Sequence, residues 1–423
     1  MCLATPAKIV GFNQDKILIE KDGATMEVSA FLLPKAKIGD WILYVNDLAI
    51  KKIDAEEARE ILRLVESPRN KVKTELLSGK FKKIIEKAHQ NDLNKGEIIY
   101  LLNSEGMEKD ALLAEADITR RAFIKDFICI HGIIEFSNYC ENDCAYCGLR
   151  SANGAIERYR MSIDEIKETA KQAAVEKGYK LLVLQSGEDN FYTDDMLVEL
   201  IKQIKSVCRV FIFMSCGERG FECYKKMKNA GASGALLRFE TSSQSLFTKI
   251  HPQGKNLENR IEHLRFLKEL GYFITTGSLI GLPGQTIEDL ADDILLIAPR
   301  AHMVSMGPFI PCDNTPMENC PAGDPEMNLK MIAVLRLLMP TARIPVTTAL
   351  ETLLGEDGRK RALAAGANAL MMNLTPKKYR SLYKIYPGRF FDNDSLWQKY
   401  GLFKYEESYK MLEERMAKEI KRK

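Results

Sequence analysis

The chain has 423 residues, of which 61 are lysine or arginine and 58 aspartate or glutamate. This near balance argues against a nucleic-acid or anionic-membrane partner and points to a small molecule or another protein. No apolar run reaches the roughly 18 residues needed to cross a bilayer, and "MCLATPAKIV" lacks the features of a signal peptide, so the expected location is cytoplasmic. In that reducing compartment, ten cysteines are better read as packing residues and metal ligands than as disulfides.

In chain order, residues 1–66 read as a small antiparallel β-barrel followed by a helix. The apolar segments "AKIVGF", "KILIE", "TMEVSAFLL" and "DWILYV" alternate with turn signals. Asp54 is the expected N-cap of "AEEAREILRLVE". Residues 67–80, around "SPRNKVK", read as a linker, and residues 81–130 as a helical lead-in of two or three amphipathic helices that begins near residue 71. Over residues 131–390, short apolar strands alternate with helices: "IIEFSN", "LLVLQSG", "VFIFMS", "GALLRFE", "YFITTGSLIG", "MVSMGPFI", "IPVTTA" and "ALMMNLTP". Repeated strand–helix units imply parallel pairing, and eight of them an α/β fold, a (β/α)8 barrel of the TIM type; an open doubly wound sheet is the alternative. Residues 391–423 are expected to form a helical tail.

Polar segments directly follow these strands, as barrel chemistry requires: "QSGED", "RFET", "GLPGQT", "GPFIPCDNTP", "TTALE" and "MNLTP". After the first strand, "SNYCENDCAYCGLR" places Cys140, Cys144 and Cys147 within eight positions, with no fourth cysteine or histidine nearby. A structural zinc site normally takes four protein ligands, whereas three leave a coordination position open. Cys129 and His131 lie at the start of the first strand, near the opposite end of the barrel, and are poor fourth ligands. Thiolates suit an iron–sulfur cluster, and a 4Fe-4S cubane on three cysteines has one iron free to bind something else. The C-x3-C-x2-C spacing, with Tyr146 before the last cysteine, resembles the signature of the radical S-adenosylmethionine (radical SAM) superfamily. The resemblance implies that the amino and carboxylate groups of S-adenosyl-L-methionine chelate the open iron. Reductive cleavage then releases a 5′-deoxyadenosyl radical.

"GIIEFSNYCENDCAYCGLR", "LVLQSGED", "GSLIGLPGQTIEDL", "GPFIPCDNTP", "IPVTTAL" and "LTPKKYRSLYKIYPG" together resemble the HydE-like family of FeFe-hydrogenase maturases, relatives of biotin synthase and methylornithine synthase. That resemblance implies a radical attack on the sulfur of a cysteine-bound iron carbonyl cyanide complex. It assigns Tyr146, Glu188, Arg238, Glu240, Arg260 and Tyr383 to cofactor binding, and Met303, Thr347, Thr348, Asn373 and Tyr386 to the substrate cavity. From the residues alone, Glu188 also reads as a solvated loop acid, Arg238 and Glu240 as a mutual pair on the barrel's inner face, Arg260 as a helix-surface residue, and the cavity set as core. Cys208, Cys216, Cys223 and Cys320 read as packing residues.

The sequence departs from the HydE-like pattern at Phe239 and Cys312, where the family commonly has histidine, and either change bears on the substrate pocket. No cysteine follows Cys320, so a second, C-terminal cluster is not expected. Residues 1–66, with "MCLATPAKIV" and "GDWILYVNDLAIKKIDAEEAREIL", resemble the HypC family of hydrogenase-assembly chaperones. In that family Cys2 holds an iron carrying cyanide and carbon monoxide, while Val45 here stands where the family has histidine. The resemblances imply a low-potential ferredoxin or flavodoxin as electron donor, other hydrogenase maturases as partners and an iron-bound small molecule as substrate. A methylornithine-synthase-like enzyme and a non-catalytic scaffold for iron synthons are the alternatives.

Overall fold

The computed structural model describes residues 5–14, 16–21, 24–45, 47–64, 74–124, 128–389 and the single residue 417. Cys2, residues 67–73 of the expected linker and the expected tail, apart from Ala417, lie outside the described residues. So does the side chain of Val45.

Five strands, β1 (Thr5–Asn13), β2 (Lys16–Lys21), β3 (Ala24–Ser29), β4 (Trp41–Val45) and β5 (Leu48–Ile53), close a barrel in the order β1-β2-β3-β5-β4. Alternation fills its interior with Ala7, Ile9, Ile17, Ile19, Val28, Ile42, Tyr44 and Ala49. Sequence reading found four of the strands and missed β5, where Lys51 and Lys52 break the apolar pattern. That strand closes the barrel by joining β3 to β4. Helix α1 (Ala55–Leu64) follows, and Asp54 Oδ1 accepts from the N–H groups of Glu56 and Glu57 at 2.9 and 2.7 Å. Ala58 and Ile61 of α1, with Leu43 and Ile53, belong to the same buried core as the rest of the molecule.

Three lead-in helices come next: α2 (Gly79–His89), α3 (Lys95–Leu102) and α4 (Gly106–Ile124). Ser78 caps α2, and Asn94 with Glu97 forms a reciprocal capping box on α3.

The large domain runs β6 (Cys129–Ser137), α5 (Ile163–Lys171), β7 (Leu181–Ser186), α6 (Asp194–Val207), β8 (Phe211–Ser215), α7 (Phe221–Asn229), β9 (Gly234–Leu236), α8 (Gln244–Ile250) and α9 (Leu257–Glu269). It continues β10 (Phe273–Thr276), β11 (Leu279–Ile280), α10 (Ile287–Ile297), β12 (Met303–Val304), β13 (Gly307–Pro308), α11 (Pro325–Leu338), β14 (Pro345–Val346), α12 (Thr348–Leu354), α13 (Glu356–Ala364), β15 (Ala369–Asn373) and α14 (Lys377–Arg380). Eight strands form one sheet in the order β12-β10-β9-β8-β7-β6-β15-β14, with every pairing parallel. A parallel bridge between Met303 and Arg343 brings the two edges together, so the sheet is a nearly closed TIM-like barrel rather than an open one. Ile134 and Phe136 of β6 pack outward against the helices, while Ile133 points inward and joins Leu181, Val183, Phe211, Phe213, Phe273 and Met303 in an apolar plug. Among the described residues, no helix is long and apolar enough to cross a membrane.

Candidate active site

The cysteine loop is held by hydrogen bonds rather than by regular structure. Asn138, buried at the end of β6, donates to the carbonyls of Glu157 and Leu382, both at 2.8 Å. The Arg158 guanidinium gathers the carbonyls of Asn138, Leu149, Arg150 and Asn153, and Arg150 braces Asp143. On this frame Cys140, Cys144 and Cys147 all face one cavity of about 310 Å³.

Burial raises all three thiols; repulsion from Cys140 adds to it at Cys144, and from Cys144 and Cys140 at Cys147, and Cys144 is pushed up to about 12. They become thiolates together only if added positive charge takes up theirs. Among the described residues, no three His, Cys, Asp or Glu side chains are placed to hold a single metal ion. Three thiols facing one cavity fit a cubane whose thiolates sit on different irons. Cys129 and His131 stay out of it: they lie at the start of β6, its thiol 3.1 Å from His131 Nε2, and neither lines the cavity.

Glycine lets the next loop approach. A Cβ at Gly187 would stand 2.2 Å from the Tyr139 carbonyl oxygen and 2.7 Å from Cys140 Cβ. The "QSGE" segment after β7 therefore lies directly against the cysteine loop, and the Glu141 N–H donates to the Glu188 carbonyl at 2.9 Å. Gly217, after β8 and at φ +77°, leaves room for the Glu188 side chain, which a Cβ there would meet at 2.0 Å. Glu188 is thus a buried wall residue, not a solvated loop acid.

Arg238 and Glu240 lie just past β9, both on the cavity wall, and pair with one another at 3.0 Å. Glu240 holds φ at +69°, an uncommon conformation for a residue with a side chain; its N–H donates to Gly277 and its carbonyl accepts from Leu279. Between them Phe239 turns the other way and is fully buried in the outer core, so this departure does not face the cavity. Arg260 is not a surface residue: it is buried on α9, its Nε donates to Glu218 and its Nη1 to the Arg238 carbonyl. Burial opposes its charge, but Glu218 outweighs that and raises its pKa.

Tyr146, Thr347, Thr348, Tyr383 and Tyr386 line the cavity. Tyr386 Oη donates to Thr348 Oγ1 at 3.0 Å, and Gln185 donates to Tyr383 Oη at 3.2 Å. Thr347 Oγ1 is buried with no hydrogen-bond partner among the described residues. Two expected residues are not brought to the cavity. Met303 is sealed in the apolar plug beneath it, and Asn373 instead donates to Glu135 Oε2 at 2.9 Å. Cys312 is buried against Gly148, beside the cysteine loop, and is likewise absent from the lining. Cys208, Cys216 and Cys223 are buried, and Cys320 packs with Tyr146 beside an apolar cluster.

Sequence reading missed Glu218, Lys255, His251, Glu135 and Arg389. The signal for Glu218 was present: "SCGER" follows β8 as the other polar segments follow their strands. Glu135, a charge within the first barrel strand, was a second one; its carboxylate takes Arg389 Nη2 at 2.6 Å. Arg389 and His251 line the cavity, and the His251 ring meets Tyr146 edge-on at 6.0 Å.

A parallel eight-stranded barrel with three cysteines on the loop after its first strand defines a radical SAM protein. The Radical SAM superfamily matches residues 134–297, the Biotin and Thiamin Synthesis associated domain residues 305–403, and the HupF/HypC family residues 1–65. The chain is 46% identical over 297 residues to the [FeFe] hydrogenase maturase subunit HydE of Thermotoga maritima, covering 70% of this chain and 84% of that one. It is 34% identical over 301 residues to the 3-methylornithine synthase of Methanosarcina acetivorans, covering 70% and 83%. A crystal structure of methylornithine synthase superposes with a TM-score of 0.63 at 29% identity, covering 68% of this chain and 85% of that one. The chain belongs to the HydE-like family of radical SAM maturases and carries a HupF/HypC-type domain at its N-terminal end.

Proposed function

We propose that this enzyme reductively cleaves S-adenosylmethionine on a 4Fe-4S cluster held by Cys140, Cys144 and Cys147. We place its work in assembly of the FeFe-hydrogenase diiron site, on a cysteine-bound iron carbonyl cyanide precursor. The observation that carries this reading is convergence: three thiols, Glu188, the Arg238–Glu240 pair and Arg260 face one cavity from three separate strand ends and helix α9.

When bound, the cluster supplies the electron that breaks the sulfonium carbon–sulfur bond. The residues of the chain do the rest by position. Glu188, beside the cysteine loop, is the acceptor for the ligand's ammonium, and the planar fork of Arg260 suits its carboxylate. Arg238 and Glu240, neutralising one another, leave polar edges for the ribose and the carboxylate. Thr347, Thr348, Tyr383 and Tyr386 form the opposite wall, where hydroxyls can orient a polar metal complex. Below them Ile133, Leu236 and Met371 floor the cavity with apolar surface, which keeps water from the reacting sulfur.

The HupF/HypC match supports a hydrogenase-assembly setting for the whole chain, with Cys2 as a carrier of iron bearing cyanide and carbonyl ligands or the small barrel as a docking module. A low-potential ferredoxin or flavodoxin is the natural electron source, and other maturases the natural partners, in a reducing cytoplasm. The similarity to methylornithine synthase favours one competing reading, a carbon-skeleton reaction on lysine.

One experiment separates them. Anaerobically reconstituted protein is reduced with dithionite, given S-adenosylmethionine, and 5′-deoxyadenosine is counted with a synthetic cysteine-bound iron carbonyl cyanide complex, with lysine, or with neither. Stimulation by the complex, lost in Cys144→Ala, supports the maturase; stimulation by lysine alone replaces it; no product from a protein with a complete cluster leaves a scaffold.

A further inference from the structure

The chain itself already engages Glu188 at both oxygens. Oε1 accepts from the Glu218 N–H at 3.1 Å, and Oε2 takes Lys255 Nζ at 2.8 Å. Lys255 Nζ also lies 3.5 Å from Glu218 Oε2, while the other Glu218 oxygen takes Arg260 Nε. Two carboxylates and two cations thus form a charge-balanced quartet at the cavity edge. The Glu188, Glu218 and Arg260 side chains are 8% exposed or less and Lys255 is 23% exposed. Burial lowers the pKa of Lys255, but Glu188 and Glu218 outweigh it and raise it, so the side chain is a full cation.

An incoming ammonium that is to sit on Glu188 finds an ammonium in place. Two such groups on one carboxylate oxygen repel each other, which favours the departure of one. Lys255 can leave: its side chain is the most exposed of the four, and its second partner is already within reach. A shift from Glu188 to Glu218 keeps the lysine charge paired throughout.

We propose that Lys255 is a built-in competitor for Glu188. The α-ammonium of S-adenosylmethionine displaces Lys255 Nζ from Glu188 Oε2, Lys255 is retained on Glu218, and this exchange sets both the affinity and the preference for a ligand with an α-amino group. The inference deepens the reading of Glu188 as the ammonium acceptor and rests on it.

The test is equilibrium calorimetry on the full-length, cluster-reconstituted, unreduced protein, in which no turnover occurs. S-adenosylmethionine and its analogue lacking the α-amino group are titrated into wild type, Lys255→Met, Glu188→Gln and the double variant. Lys255→Met is expected to bind S-adenosylmethionine about fivefold more tightly, the scale of one partly exposed ion pair, and the analogue no more tightly than wild type does. In the Glu188→Gln background, the lysine substitution is expected to change nothing. Equal tightening for both ligands would reflect only the loss of a nearby positive charge and overturns the exchange, as does unchanged or weaker binding of S-adenosylmethionine. If Glu188→Gln weakens both ligands alike or neither, the reading of Glu188 itself fails. If it weakens only S-adenosylmethionine while Lys255→Met has no effect, that reading stands and the role of Lys255 fails alone. Lys255→Gln repeats the series with a polar replacement, and cluster absorbance with thermal melting verifies that each variant is folded and loaded.

Discussion

The rim of the large barrel and the apolar plug beneath it are built from the same strands and share one inward-facing periodicity, yet they hold opposite kinds of residue. Along β6, Ile133 enters the apolar plug, and one inward step higher Glu135 pairs with Arg389. Along β8 and its exit, Phe213 fills the plug and Glu218 anchors Arg260. Alternation decides which side chains enter a barrel; height along the strand decides whether they meet other hydrocarbon or the polar loops of the rim. The plug can therefore be packed for stability, while charge collects on the rim above it without being stranded in hydrocarbon. Among the described residues, the small N-terminal barrel shows no such division, and side chains such as Ile9, Ile17 and Tyr44 fill its interior.

Changes in the rim and in the plug should separate function from stability, and the largest effect belongs to the rim. Cys144→Ala is expected to remove the characteristic cluster absorbance and reduce 5′-deoxyadenosine formation to background, while far-ultraviolet circular dichroism and cooperative unfolding persist. Loss of the fold instead would mean that rim and plug are not independent. Phe213→Ala, in the plug, should do the reverse, lowering unfolding free energy by about 3–5 kcal/mol in urea titrations while the cluster still assembles. A smaller cost would show that the plug can collapse around the lost ring.

A third change sharpens the boundary between rim and support. Asp293 accepts from the N–H and hydroxyl of Ser242, both at 2.6 Å, beneath the loop that carries Glu240. Burial raises its carboxyl to about 7, so the folded state binds a proton that the unfolded state releases near pH 4. Its contribution is greatest below pH 4 and is lost as pH rises toward 7. Asp293→Asn should flatten the decline of the urea midpoint between those values, and a slope identical to wild type would refute the assignment. The smallest effect is expected from Tyr386→Phe, which removes one hydroxyl on the far wall; at about 1 kcal/mol it should weaken activation by the iron complex about fivefold and leave the unstimulated reaction unchanged.

Much of the rim was legible in one dimension because strand ends are local features. The three cysteines follow β6, Glu188 follows β7 and the Arg238–Glu240 pair follows β9, each a polar cluster at the end of an apolar run. Phe239 shows the limit of that reading. It stands between two cavity residues, but alternation sends it to the outer core, so its departure from the family pattern does not alter the cavity surface. Met303 and Asn373 show another limit: both belong to barrel strands, yet neither lines the cavity.

By itself, then, the sequence determined the barrel class, the cysteine loop and most of the residues at the strand ends, because alternation, turn chemistry and ligand spacing are properties of neighbouring positions. Only the tertiary structure decided which of these residues meet. Glu135 and Arg389 are 254 positions apart, and Lys255 and Glu188 are 67 apart. Closing a parallel sheet brings distant loops onto one rim, and the pairing of their charges is settled by that closure rather than by any local preference.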